Sequence, residues 1–194
     1  MNIKNFFKHL KTVCKHKFFV AKFCFKAGLY WQGIVHDLSK FSPTEFIESV
    51  KYYQGTRSPI DACKEENGMS MAWLHHKGRN KHHYEYWQDN FDRGTTHLTM
   101  PFKYAHEMVC DYLGAGNAYM GKKFTLAGEL QWWYGKNANG HIAMSEPVWH
   151  FCDDMMHIMA EENNFDVLRQ KRAKKIYDKN IKKYGNDIDK KKCA

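Results

Sequence analysis

The sequence predicts an all-α fold, and three features of its composition and patterning support this. The 194 residues include only 4 prolines, and β-branched residues are sparse beside lysine, alanine, methionine, phenylalanine and glutamate, which together favour helix over strand. Apolar residues recur at intervals of three and four, the period of an amphipathic helix. The chain is 43% hydrophobic and 15% aromatic, which is the composition of a globular protein and not of a disordered one.

Helix starts and ends are marked by periodicity, capping residues and turn residues. The first two helices are predicted over 2–27 and 29–40 from the helical spacing of their apolar residues. Three residues mark the start of a third helix. Ser42 can cap it, Pro43 suits its first position, and Glu45 stands three residues after the cap, where it completes a capping box. The remaining predicted elements are the end of this third helix near Gly55, a helix from Ser58-Pro59 to about Gly68, a loop over 89–99, helices over 101–118, 126–134 and 146–162, and a polar helix in the Lys-rich remainder.

The net charge of +9 is concentrated toward the C-terminus. We predict one globular domain over 1–165, followed by a basic C-terminal helix or tail over 166–194. A basic balance permits nucleotides, nucleic acid or an anionic surface as partners. The tail is the segment through which nucleic acid could bind, although a solvated tail explains the same charge.

The cysteines and the hydropathy predict a cytoplasmic protein without a membrane span. None of the six cysteines forms a C-x-x-C pair, which argues against a disulfide framework and against a cysteine-based zinc site. No segment reaches the ~18 consecutive apolar residues of a spanning helix. We also find no apolar core of a signal peptide.

A His-Asp pair is the first part of a candidate metal site. His36 and Asp37 are adjacent in the predicted second helix, where their side chains would point about 100° apart. Both reach one ion only if the helix end faces it and other helices complete the ligand shell. Lys40 lies one turn after His36, and a cation beside a metal is what a phosphate-binding site uses. Taken alone, the pair is equally explained as structural.

Four histidines within nine residues form the second part. A shared metal is an economical partner for them, because burying a polar group without a partner costs about 1–3 kcal/mol. If the segment 73–87 is helical, two sets of residues occupy neighbouring faces; Gly78 would instead break the helix. The face that contains His75 and His82 can supply further ligands or contact an anionic substrate. The alternative for the whole segment is a polar patch. The first face carries Trp73, His76, Asn80, His83 and Trp87, and the second carries His75, Arg79, His82 and Tyr86.

Two carboxylates on the helix predicted over 101–118 complete the pattern. Glu107 and Asp111 lie one turn apart on an otherwise apolar helix, and a buried charge is costly unless it is paired or bound to a metal. Asp111 fits a last metal ligand or a partner of a basic side chain, and Glu107 fits an outer group or a base. His16 shares the inward side of the first helix with Val20 and is a further candidate.

The order His, His-Asp, His, His, Asp along a helical chain resembles the HD-domain superfamily of metal-dependent phosphohydrolases, which is all-helical. The chain is more closely similar to a family of short, uncharacterised HD-like proteins of bacteria and phages. Two departures from the HD pattern are the few residues between His76 and His82 and the lack of G-Y-P after the second histidine pair. The stretches that carry the closer similarity are 24–46, 51–59, 72–87 and 100–111.

The resemblance assigns roles to individual residues. It implies that Asp37 bridges two ions, and that Lys40, the lysine of an H-D-x-x-K pattern, contacts phosphate. It makes 1–165 an HD-like metal-binding domain of compact helices. The metal ligands it implies are His16, His36, Asp37, His76, His83 and Asp111, with His75 and His82 as further candidates for the second ion.

The expected function is metal-assisted hydrolysis of a nucleotide or another small phosphate ester. A mixed set of histidine and carboxylate ligands suits one or two Mn, Fe, Co, Ni or Zn ions better than Ca. Lys40 and Arg79 would neutralise charge on phosphate oxygens, and Glu107 or a histidine would relay a proton. The residues expected to carry catalysis are therefore Asp37, Lys40, Arg79 and Glu107.

Two other functions fit the same residues. The first is a di-iron oxygenase on an HD-type scaffold, which would contain iron and consume oxygen. The second is a protein without enzymatic activity that binds a nucleotide or nucleic acid and holds a structural metal. Salt-sensitive binding without turnover would favour the second alternative.

Overall fold

The computed structural model describes residues 2–92 and 94–185. About 72% of these residues are helical, and their strands form a single two-stranded sheet. The predicted all-α class is therefore confirmed. The α-helices of the described residues are α1 (Ile3–Lys26), α2 (Tyr30–Val35), α3 (Pro43–Lys51), α4 (Pro59–Asn67), α5 (Met71–Lys77), α6 (Phe102–Met120), α7 (Leu126–Lys136), α8 (Glu146–Glu162) and α9 (Gln170–Tyr184).

A short hairpin and several 3-10 turns connect these helices. Strands β1 (Gln88–Phe91) and β2 (Gly94–His97) pair antiparallel, with Gln88 opposite His97. The prediction of a loop over 89–99 is therefore wrong for most of this stretch. Asp89, Asn90 and Gly94 are poor strand formers, but ladder hydrogen bonds between the two short strands satisfy the backbone. The 3-10 helices are Leu38–Phe41, Tyr84–Trp87, Gly121–Lys123 and Asp166–Leu168.

The caps confirm predicted helix starts. Helix α1 follows Asn2, whose side chain accepts a hydrogen bond from the amide of Lys4 at 3.0 Å. Helix α3 begins at Pro43, and the hydroxyl of Ser42 accepts a hydrogen bond from the amide of Glu45 at 3.4 Å. These contacts satisfy amide groups that have no partner within the first helical turn.

The second predicted helix is interrupted at the His-Asp pair. The helix expected over 29–40 ends with α2; His36 is then extended, and Asp37 is left-handed with φ of 54°. The ammonium of Lys17 donates to the carbonyl oxygens of Ile34 and His36 at 2.6 and 2.9 Å. These contacts replace hydrogen bonds that a continuous helix would make. The prediction that the pair lies on one helix is therefore wrong.

The histidine-rich segment is not one helix either. Helix α5 ends at its C-cap Gly78, and the chain turns before the following 3-10 helix. The single inward stripe predicted over 73–87 is wrong, and the alternative in which Gly78 breaks the helix is confirmed. Because of this turn, His82 and His83 reach the centre of the fold from a different segment than His76.

One hydrophobic core joins α1, α6, α8 and α9. Helices α1 and α6 approach closely, since a Cβ placed on Gly114 would lie 2.3 Å from a methyl carbon of Val20. The segment after α8 contributes to the same core through Leu168 and Tyr177. The hydroxyl of Tyr177 donates to the carbonyl oxygen of Met100 at 2.5 Å.

The basic C-terminal segment contains a packed helix. Helix α9 is the polar helix that the sequence predicts, and side chains on both sides of the predicted boundary at residue 165 share the core. Residues 186–194, with the Lys-rich end and Cys193, lie outside the described residues. The five cysteines within the described residues are free, and no helix among those residues is long and apolar enough to cross a membrane.

Candidate metal centre

Seven side chains from four segments converge at one place in the fold. Helix α1 contributes one, the break after α2 contributes two, the segment from α5 to the hairpin contributes three, and α6 contributes one. All but His83 are buried. The set consists of His16, His36, Asp37, His76, His82, His83 and Asp111.

The first group of donor atoms surrounds one oxygen of Asp37. His16 Nε2 and His36 Nε2 each lie 3.3 Å from Asp37 Oδ2. Asp111 Oδ1 lies 3.1 Å from His16 Nε2 and 3.3 Å from His36 Nε2. Donor atoms about 2.1 Å from one ion and about 90–110° apart are separated by roughly 3.0–3.4 Å. These spacings fit one ion with two nitrogen and two oxygen ligands.

The second group surrounds the other oxygen of Asp37. His76 Nε2 and His82 Nε2 lie 3.4 and 3.3 Å from Asp37 Oδ1, and His83 Nε2 lies 2.9 Å from His76 Nε2. The donor atoms of these four residues all lie within 4.8 Å of one another. The two oxygens of Asp37 therefore face two different donor groups, which is the arrangement of a carboxylate that can bridge two ions.

Atoms without hydrogen-bond partners support a cation at this place. Asp37 Oδ1 and His82 Nε2 are buried and lie 3.3 Å apart, but neither makes a hydrogen bond of good geometry with the other or with another described residue. Each such atom costs about 1–3 kcal/mol when nothing compensates it. A cation between the two would accept a lone pair from each, so the residues present fit a metal ion.

Glu107 contacts the outer nitrogens of two candidate ligands. Its Oε1 lies 3.1 Å from His36 Nδ1 and 3.3 Å from His82 Nδ1. A carboxylate that accepts the Nδ1 hydrogen leaves the Nε2 lone pair free for an ion and holds the ring in place. Glu107 also forms a third donor group with His36 and His82. Because it faces Nδ1 while both Nε2 atoms face Asp37, we interpret Glu107 as a positioning residue.

Glu45 makes the same kind of contact to the histidine-rich segment, and the sequence analysis did not identify it. Its Oε2 lies 2.7 Å from His76 Nδ1, and its Oε1 lies 2.7 Å from His75 Nδ1. The side chain is buried. Its position after Ser42 gave only a capping signal, which an exposed glutamate satisfies equally well. His75 faces Glu45 and is in none of the donor groups of the described residues.

Replacing Glu45 with glutamine should weaken metal binding about 10–100-fold, as loss of an outer partner does. In the wild type, each oxygen of Glu45 can accept a hydrogen bond from one of the two imidazoles. The amide of glutamine has only one oxygen, so its NH2 group would face the other ring. If the NH2 group faces His76, the ring proton of His76 moves from Nδ1 to Nε2, where it blocks the nitrogen that would bind the metal. Competition with a coloured chelator measures the affinity.

The matched control is Glu66→Gln, the same change at an exposed position of α4. It should leave metal affinity unchanged. Equal affinities for wild type and Glu45→Gln would show that Glu45 does not position His76.

The buried carboxylates are ionised, and the buried histidines differ in protonation. Burial raises the pKa of Asp37, but His36 and Lys40 outweigh it and hold that pKa well below its usual value. Burial likewise raises the pKa of Asp111, and hydrogen bonds from two histidines bring it well below. Burial and the neighbouring histidines lower the pKa of His83. The carboxylates are therefore ionised and His83 is neutral near neutral pH, the forms that bind cations.

Burial lowers the pKa of His36, but Asp37 and Asp111 outweigh it and raise that pKa well above its usual value. Burial and the charge of His36 lower the pKa of His82, but contacts with Asp37 and Glu107 outweigh them and raise that pKa to about 8. An ion bound by His36 or His82 would therefore displace a proton.

The two predicted phosphate-binding cations lie in different environments. The ammonium of Lys40 is 2.5 Å from Asp37 Oδ2, and its side chain is 26% exposed. Burial lowers the pKa of Lys40, but Asp37 and Asp111 outweigh it and raise it. Arg79 is exposed and makes no ion pair among the described residues. The structure thus brings Lys40 to the centre and leaves Arg79 at the surface.

Comparison with known proteins gives a family and no assigned activity. No curated protein matches the chain, and no solved structure matches it. Residues 5–164 match the model of DUF5662, a family of unknown function. Every candidate ligand lies within that range, which covers more than half of the sequence. The chain therefore belongs to the DUF5662 family.

Proposed function

We propose that this protein is an HD-like, divalent-metal-dependent phosphohydrolase that acts on a nucleotide or another small phosphate ester. The observation that carries the proposal is the position of Asp37. One of its oxygens faces His16, His36 and Asp111, and the other faces a second set of histidines. Such a shared carboxylate suits a pair of ions that act together on one phosphoryl group.

The ligand chemistry narrows the choice of metal. Imidazole nitrogens and carboxylate oxygens suit Mn, Fe, Co, Ni or Zn, whereas Ca is bound by oxygen atoms. Ions held here would supply a water molecule of lowered pKa and a Lewis acid for phosphoryl oxygens. The protein contributes the buried, ionised carboxylates and the imidazole nitrogens described above.

Lys40 is the cation of this chain best placed to contact the substrate. Its ammonium lies beside Asp37, and its partly exposed side chain can reach both the donor groups and the solvent. A fixed positive charge at this place lowers the energy of a phosphoryl group as negative charge develops on its oxygens. The predicted roles of Arg79 and of Glu107 as a base stay predictions, and the contacts of Glu107 favour positioning of His36 and His82.

The test is elemental analysis of untagged protein purified without chelator, followed by turnover assays. We expect one or two Mn, Fe, Co, Ni or Zn ions per chain and hydrolysis of at least one member of a panel of phosphomonoesters, phosphodiesters and nucleotides. Protein without metal, and unable to take it up, would contradict the proposal. Paired iron with oxygen consumption would favour the oxygenase instead, and nucleotide binding without turnover would favour a binding protein.

A further inference from the structure

A cleft opens beside the N-terminal half of α1. Its volume is about 410 Å³. Three segments form its walls: one face of α1, the loop between α3 and α4, and the C-terminal end of α6. The lining residues are Asn5, Lys8, Lys11, Thr12, Lys15, Tyr53, Gln54, Gly55 and Ala118.

The cleft is positively charged. Lys8, Lys11 and Lys15 line it, no carboxylate does, and none of the three makes an ion pair among the described residues. Lys15 is held in place, because its ammonium donates to the carbonyl oxygen of Ala118 at 2.6 Å. Like charges one turn apart destabilise a helix. Three of them around one concave surface provide a place where an anion is stabilised.

The cleft lies next to the metal centre. Thr12 is one helical turn before His16, which places it about 6 Å away along the axis of α1. The hydroxyl of Thr12 lies 2.9 Å from that of Tyr53, and the Tyr53 ring packs against His9 at 5.5 Å between centroids. The turn of α1 from Thr12 to His16 therefore joins the cleft to the candidate metal centre.

We propose that this cleft binds a second phosphoryl group of the substrate, remote from the one that is hydrolysed. The substrate class is then a small molecule with an oligophosphate chain or with two phosphate groups. This inference rests on the proposed function for the reacting phosphate. Binding of an oligophosphate to the cleft itself needs only the lysines.

The probe is inorganic tripolyphosphate. It is titrated by calorimetry, at low ionic strength, into the full chain from which a chelator has removed any metal. Metal-free protein is used because the probe itself binds metal ions. We expect binding by the wild type, weakened roughly fivefold or more in Lys8→Ala/Lys11→Ala, which loses two charge contacts. Both lysines are exposed and repel their neighbours on α1, so the double variant should unfold at a temperature no lower than that of the wild type.

The matched control is Lys22→Ala/Lys175→Ala, which removes two exposed lysines outside the cleft. It should change affinity by less than about twofold. Asp37→Asn should bind the probe at least as tightly as the wild type, which separates this site from the metal centre. Absence of binding by the wild type, equal loss of affinity in both double variants, or an unchanged affinity in Lys8→Ala/Lys11→Ala would each overturn the proposal.

Discussion

Replacing Asp37 with asparagine is expected to abolish metal binding at both donor groups and with it the proposed hydrolytic activity. Each oxygen of Asp37 faces a different group, so one substitution removes the shared negative charge from both. The loss should exceed the roughly 10–100-fold that removal of an outer partner costs. Metal content by elemental analysis and turnover of the best substrate are the two measurements.

Asparagine is the informative replacement because of the backbone at this position. Asp37 has φ of 54°, a conformation that asparagine and aspartate tolerate better than other residues with a side chain. Asp37→Asn therefore removes the charge while keeping the backbone, whereas alanine would add strain. Asp61→Asn, the same change at an exposed position of α4, is the control and should keep full metal content. Stoichiometric metal with full activity in Asp37→Asn would refute the proposed mechanism.

Replacing Gly114 with alanine is expected to destabilise the fold strongly. The added Cβ would lie 2.3 Å from Val20 Cγ2 and 2.9 Å from the backbone nitrogen of the same residue. Since helix backbone cannot move aside as a flexible side chain does, α1 and α6 must separate. Overpacking of this kind costs about 1–3 kcal/mol, and each kcal/mol lowers the melting temperature by about 2–4 °C in a chain of this length.

This close approach also sets the geometry of the candidate metal centre. Gly114 lies one turn after Asp111, and Val20 lies one turn after His16. The 3.1 Å between His16 Nε2 and Asp111 Oδ1 therefore depends on how closely the two helices pack. We expect Gly114→Ala to bind metal more weakly even at temperatures where it remains folded.

The control for this prediction is Gly135→Ala in α7. A Cβ there would meet nothing within 4 Å, so alanine should only gain helix propensity, about 0.5–1 kcal/mol. Its melting temperature should match or exceed that of the wild type. A Gly114→Ala variant as stable as Gly135→Ala would mean that the two helices separate without cost.

Much of the helical framework could be predicted because its signals are local. The cap Asn2 and the sequence Ser42-Pro43 act on amides within three residues, and the apolar period of α8 specifies its bounds within the segment itself. The hairpin at residues 88–97 was missed because its pairing depends on two short strands meeting, which residue preference does not indicate.

The chemistry of the candidate site was visible in the sequence, since buried histidines and carboxylates on apolar helices require a partner. The sequence did not indicate which atoms of these side chains contact one another. Glu45 contacts Nδ1 of both His75 and His76 from about 30 residues away. Only the fold decides that His76 Nε2 lies 3.4 Å from Asp37 Oδ1 and that His76 therefore joins the donor group. The orientation of His36 depends on Glu107 and Asp111, more than 70 residues away.

The sequence by itself determined the helical class, most helix boundaries and the residue types of a metal centre, because periodicity and capping act over a few residues. Only the tertiary structure decided that the helix breaks at Asp37, that its two oxygens face two donor groups, and that Glu45 holds His76. The physical reason is that these features arise from contacts between distant segments. Those contacts outweigh the local preference for a continuous helix through His36 and Asp37.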